Sequence, residues 1–137
     1  MSTSSLTPAA AVMQSMIQQY FAASRGNNKA EEMAACFTAD SISYDPAEGP
    51  GLEGKAALQQ FFATIVDLFE TIGLQEEFVS INGNQAAVKW TGHGVGKNGI
   101  EVTFEGIDLF EFNLDGKIQS MRAYWDSAAM LTKLGVL

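Results

Sequence analysis

Apolar side chains recur at Val12, Met13, Met16, Ile17, Tyr20 and Phe21, three and four residues apart, the spacing that lines one face of an α-helix. Thr7-Pro8 stands just ahead of them, residue types that cap and open a helix. Arg25-Gly26-Asn27-Asn28 should end it, with Gly26 supplying a left-handed residue. A shorter helix is predicted over 29–37, turning Met33, Cys36 and Phe37 inwards. Residues 41–44 alternate like a short strand, which Asp45-Pro46 stops, because proline lacks the ladder donor and restricts its predecessor. The stretch 47–54 holds three glycines and a proline and reads as a loop. A third helix over 55–70 carries Leu58, Phe61, Phe62, Ile65, Val66 and Phe69.

From Leu74 the period changes to two. Strands are predicted over 74–81, 85–95, 99–112 and 117–125, joined by tight-turn chemistry at Asn82-Gly83-Asn84 and Asp115-Gly116. A short helix is expected after Asp126. Three helices followed by an antiparallel meander mean an α+β fold, with the helices packed on one face of a curved sheet. The 137 residues suit one domain, with 1–6 a loose tail.

One position breaks the pattern. Val102, Phe104, Gly106, Asp108, Phe110 and Phe112 share a strand face, apolar except for Asp108. An ionised, unpaired acid there is costly, so Asp108 should be protonated or find a partner. Val88 and Trp90 share a face on the preceding strand, as do Met121, Ala123 and Trp125 on the following one. Such faces closing over helices make a solid core or a pocket. The glycines at 92, 94, 96 and 106 favour bends and open space.

Charge and composition narrow the partners. The net charge is −8 and no Lys/Arg cluster breaks it, which disfavours nucleic acid. No apolar run approaches the ~18–20 residues of a membrane span, and the N-terminus lacks the pattern of a secretory signal. The lone Cys36 excludes an internal disulfide and fits a reducing cytoplasm; its apolar neighbours make it a core residue. His93 alternates with Lys89 and Thr91 on the outer face, as a surface or subunit-contact residue. No ligand spacing suggests a metal, and Gly94-Val95-Gly96, with no helix after it, is not a phosphate loop. Glu76-Glu77 reads as a solvated strand end.

Three segments taken together resemble the Δ5-3-ketosteroid isomerases, members of the nuclear-transport-factor-2-like (SnoaL-like) superfamily. They are Met16-Ile17-Gln18-Gln19-Tyr20, Tyr44-Asp45-Pro46, and Gly106-Ile107-Asp108 running on through Asp115-Gly116-Lys117-Ile118 to Ala123-Tyr124-Trp125. The resemblance covers nearly the whole chain and implies the cystatin-like cone. It implies a cofactor-independent isomerase that shifts a double bond in a lipophilic ketone such as a 3-oxo-Δ5 steroid. By the family's division of roles, Tyr20 and Asp108 hold the substrate oxyanion and Asp45 moves the proton. Asp45, beside the Gly/Pro-rich loop, should be the more solvated acid and stay ionised, while Asp108 is pushed the other way. Trp125 resembles the family's aromatic wall; Phe37, Phe62, Phe104, Phe110, Met121 and Trp90 are the other expected substrate contacts. Phe37 and Phe62 stand where the best-known isomerases carry supporting tyrosines, which would leave Tyr20 a less polarised donor. Glu48 and Glu53 belong to the loop expected at the pocket entrance. A polyketide-cyclase-like enzyme and a non-catalytic binding or dimerisation module are the alternatives on the same scaffold. The family also implies a homodimer formed sheet to sheet, for which Ile107, Leu109 and Tyr124 on the outer face are suited.

Overall fold

The computed structural model describes residues 7–137; the expected loose tail, 1–6, lies outside them. The elements run α1 (Ala10–Ser24), α2 (Lys29–Ala34), β1 (Phe37–Tyr44), β2 (Leu52–Glu53), α3 (Lys55–Val66), β3 (Phe69–Asn82), β4 (Gln85–Gly96), β5 (Glu101–Phe112), β6 (Ile118–Tyr124) and α4 (Ser127–Leu134). The architecture is α+β, as the change of period required.

Several boundaries differ from the sequence reading. Ala9, not Thr7, precedes the first turn of α1, and no side chain caps it. Gly26 is not left-handed. The end of α1 is instead closed by Lys29, whose Nζ donates to the carbonyls of Ser24 and Gly26 at 2.9 Å each, a cation placed where the helix dipole favours it. The second helix stops at Ala34, so Phe37 enters the core from β1 and not from a helix. Part of the loop forms β2, where Glu53 pairs with Ile42. The third helix ends at Val66 because Phe69 already pairs with Gly96 of β4. Glu76 and Glu77 therefore lie within β3, at a bulge, and Glu76 meets Arg25 at 3.2 Å.

The sheet order is β2-β1-β6-β5-β4-β3. The meander β3 to β6 is antiparallel throughout, whereas β1 joins β6 in parallel. Gly83 and Gly116 supply the left-handed residues of the two predicted turns, at φ of 65° and 82°. Bulges in β3 and between Glu111 and Phe112 of β5 add twist and curl the sheet around the helices.

The concave face carries the core. Ile17, Phe21, Phe37, Leu58, Val88, Phe110 and Met121 are all buried in one cluster. A second cluster of Phe69, Val102, Met130 and Leu134 is closed by α4, which Asp126 caps by accepting from the Ala129 N–H at 2.9 Å. The sheet glycines create room, but aromatic rings fill it. A Cβ on Gly92 would stand 2.5 Å from the Phe104 ring, and one on Gly106 would stand 2.5 Å from the Trp90 ring. Cys36 is fully buried, its thiol pushed up to about 11 by burial. His93 lies exposed on the outer face, 3.2 Å from Thr103 Oγ1.

Candidate active site

A cavity of about 70 Å³ opens between the helices and the concave face. Tyr20, Trp90 and Asp108, all buried, line it together with half-buried Phe61, Ile65 and Val66 of α3 and Ile72 and Leu74 of β3. The buried residues thus form its floor and the half-buried ones its solvent side. Among the described residues that line it, the only carboxyls are those of Asp45 and Asp108.

Each polar group arrives on a different element. Tyr20 points off the inward stripe of α1, one turn before Ser24. Asp45 follows β1, where its cis peptide to Pro46 turns the chain and Ala47 N–H donates to the Ala123 carbonyl at 2.7 Å. Asp108 lies mid-β5, paired with Val88 on one side and Ala123 on the other. Both flanking side chains are apolar and buried, so β5 delivers the acid into a dry place.

The two aspartates are unequal. Asp108 is 2% exposed. Burial first, and then the charge of Asp45, raise its pKa well above the ordinary carboxyl value, while Trp90 draws it part of the way back. Asp45 is raised to about 6 by burial, against which the indole of Trp125 acts. That indole donates to Asp45 Oδ1 at 2.6 Å, a bond that holds the carboxylate in place and favours its ionised form. Asp45 is the more solvated of the two, as expected, half-buried where Asp108 is buried, but the expected opposite shifts are corrected. Both acids are shifted upwards, and Asp108 further, because it is the deeper and must ionise beside an existing negative charge. Of the pair, Asp45 gives up its proton more readily and Asp108 holds its proton more tightly.

Tyr20 shares the cavity with both. Its phenol pKa is raised well above the usual value by burial and then by the charges of Asp108 and Asp45, so it remains a neutral O–H donor. Its hydroxyl donates to Met121 Sδ at 3.7 Å, a weak acceptor, which leaves it available to a better one. Around its ring stand Phe37, Phe62 and Phe110 at centroid distances of 5.8, 6.1 and 5.5 Å.

Of the expected substrate contacts, Trp90, Trp125, Phe62 and Phe104 line the cavity. Phe37, Phe110 and Met121 do not; they lie behind Tyr20 and support it. Glu48 and Glu53 are not in the lining either. The cavity also includes Ser24, Lys29, Ile65, Ile72 and Leu74, which are not among the residues expected at the site. Ile65 was visible as the residue one helical turn after Phe61. Nothing in the sequence marked Lys29, which reaches the cavity only because α2 folds back across the end of α1.

The family profile described as SnoaL-like domain matches residues 17–121, a span that includes Tyr20, Asp45 and Asp108. Among solved structures, a candidate SnoaL-like polyketide cyclase from Jannaschia sp. CCS1 superimposes with a TM-score of 0.80 at 18% identity, over 100% of this chain and 99% of that one. A hypothetical protein with a ketosteroid isomerase-like fold from Catenulispora acidiphila DSM 44928, in complex with trimethylamine, gives 0.77 at 17% identity, over 89% and 93%. The epoxide hydrolase/cyclase-like enzyme SalBIII of pyran ring formation in salinomycin gives 0.73 at 23% identity, over 85% and 92%. The chain belongs to the SnoaL-like domain family, and its fold is that of the nuclear-transport-factor-2-like, ketosteroid isomerase-like proteins.

Proposed function

We propose that this chain is a cofactor-independent isomerase that moves a C=C bond of a lipophilic, enolisable ketone by intramolecular proton transfer. The observation that carries the reading is the pair of unequal aspartates facing one apolar cavity beside Tyr20. Asp45, with a pKa of about 6, is roughly nine-tenths ionised at pH 7 and a stronger base than an ordinary carboxylate. Trp125 occupies Oδ1, which leaves Oδ2 to take a proton from the carbon next to the carbonyl. The C–H electron pair flows into the ketone and forms a dienolate, whose oxygen accepts hydrogen bonds from Tyr20 and protonated Asp108. Asp45 then returns the same proton to the far carbon of the dienolate, leaving the double bond conjugated and the enzyme unchanged. Donors fixed where charge develops lower the barrier most in a site that excludes water.

The volume bears on the substrate. Pockets that enclose drug-sized ligands run to ~300–1,000 Å³, far above the 70 Å³ here. We therefore place compact ketones of one or two rings ahead of a four-ring steroid. A second reading, a polyketide-cyclase-like reaction, uses the same base and the same enolate to close a ring; the structural neighbours that are cyclase-like favour it.

The test is the ultraviolet rise of a conjugated enone when the protein meets 3-cyclohexen-1-one or 5-androstene-3,17-dione. Turnover that collapses in Asp45→Asn and falls in Asp108→Leu supports the isomerase. No rate above buffer with either ketone would remove it and leave the cyclase or binding readings.

A further inference from the structure

Trp90 holds a hydrogen-bond donor for which the fold provides no well-formed bond. Its Nε1 is buried and has no partner among the described residues, and the residue is 3% exposed. Buried indole N–H groups usually find an acceptor, and leaving one unsatisfied costs about 1–3 kcal/mol. The other tryptophan at the site behaves normally, its indole donating to Asp45 at 2.6 Å.

The unused donor is held firmly. Trp90 pairs with Gly106 across the β4–β5 ladder, and its ring occupies the space that a side chain at 106 would take. Phe104 and Trp125 clamp it edge-on, at centroid distances of 5.9 and 6.0 Å. Asp108, two residues along β5 from Gly106, is its diagonal neighbour on the same face. The indole is close enough to act on the Asp108 carboxyl as a hydrogen-bond donor and lower its pKa in part, but at a geometry short of a well-formed hydrogen bond. Trp90 lines the same cavity as Asp108 and Tyr20.

We propose that the Trp90 indole N–H is a third donor at the oxygen-binding end of this cavity, which it completes with Tyr20 and Asp108 when a carbonyl, enolate or phenolate oxygen binds. This deepens the isomerase reading and rests on it, since both need a ligand oxygen at that end. An oxygen bearing negative charge has lone pairs for three donors, and a ring fixed on the sheet beside Asp108 has an N–H to add. It also compensates for Phe37 and Phe62, which place no hydroxyl behind Tyr20. The ligand class that follows is a planar, compact molecule with one strongly accepting oxygen and an otherwise apolar body.

The probe is 4-nitrophenol, whose phenolate imitates an enolate and reports its own protonation by colour; 4-nitrotoluene is its counterpart without the oxygen. In unmodified protein the two indole N–H signals of a ¹H–¹⁵N spectrum belong to Trp90 and Trp125, assigned with either Trp90→Phe or Trp125→Phe. Adding 4-nitrophenol should move the Trp90 proton downfield as the bond forms, and 4-nitrotoluene should not. Trp90→Phe should weaken phenolate binding about tenfold, raise the pKa of the bound probe and leave 4-nitrotoluene unaffected. If the probe binds with a preference that depends on Tyr20 and Asp108 while the Trp90 signal stays put and Trp90→Phe binds equally well, the third donor is overturned and the oxygen site stands. If unmodified protein fails to prefer 4-nitrophenol over 4-nitrotoluene, the oxygen site and the third donor fall together.

Discussion

Asp45 has to satisfy two opposed requirements, since a base must be able to ionise and burial resists ionisation. Its unfolded pKa is near 4 and its folded value about 6, so the folded state binds the proton more tightly. Stability linked to this group is highest below pH 4, falls as pH rises and is fully lost above about pH 6, roughly 3 kcal/mol in all. Asp45→Asn, which keeps an acceptor for Trp125, should abolish that slope. Urea unfolding at pH 5 and pH 8 should find the variant more stable than the parent at the higher pH, and equal midpoints at pH 8 would contradict the burial argument. The same substitution should cut kcat about 10²–10⁴-fold, the usual worth of a positioned base. In the parent, kcat/KM should rise with pH to a plateau, with its half-point near pH 6 and set by Asp45. Asp108 was legible in the sequence because strand alternation alone sets it on an apolar face. The burial of Asp45 was not, because the indole that covers it lies 80 residues away.

At the scale of elements, the sheet decided what local pattern left open. Residues 67–73 can continue a helix by composition, yet Phe69, Thr71 and Ile72 find ladder partners in Gly96, Val95 and Gly94. Residues 37–40 are drawn into β1 by Phe37 pairing with Ile118, a contact that no window of neighbouring residues reveals. Within β5, Gly106 makes the seat for Trp90. Gly106→Ala would set a Cβ 2.5 Å from that ring, 2.8 Å from the Tyr124 carbonyl and 2.9 Å from Trp125 Cβ. Backbone cannot yield as a side chain can, so overpacking should cost about 1–3 kcal/mol. Chemical denaturation followed by tryptophan fluorescence would read both the lost stability and the displaced indoles. A variant as stable as the parent with the same emission would show that the seat is looser than its geometry.

The whole molecule presents an outer sheet face that its own helices do not cover. Ile107 pairs with Tyr124 and Leu109 with Arg122 across β5 and β6, and Ile107, Leu109 and Tyr124 are 43%, 41% and 50% exposed. Arg122 stands 4.3 Å over the Tyr44 ring on the same side. We propose a second copy of the chain as the partner of this face, packed sheet to sheet. Leu109→Glu places a charge at its centre with no effect on the concave side, so it should shift the molecular mass seen by light scattering from dimer to monomer. A parent that is monomeric at high protein concentration would refute the pairing. Among the described residues no helix is long and apolar enough to cross a membrane.

The fold class, the turns at Gly83 and Gly116, the inward stripe bearing Tyr20 and the isolated acid on the aromatic face of β5 were all determined by the sequence alone. Each rests on periodicity or on backbone chemistry confined to a few neighbouring residues. Tertiary structure decided the rest: the parallel junction of β1 with β6, the retreat of Phe37, Phe110 and Met121 from the cavity wall, the filling of the glycine spaces by rings, and the meeting of both carboxyls in one cavity. Those outcomes depend on which distant side chains meet, and on how much water their meeting leaves behind. The pattern of one strand can place an acid on an inward face. Only the packed molecule can set its pKa, because desolvation and the charge of a second acid belong to the cavity and not to the chain.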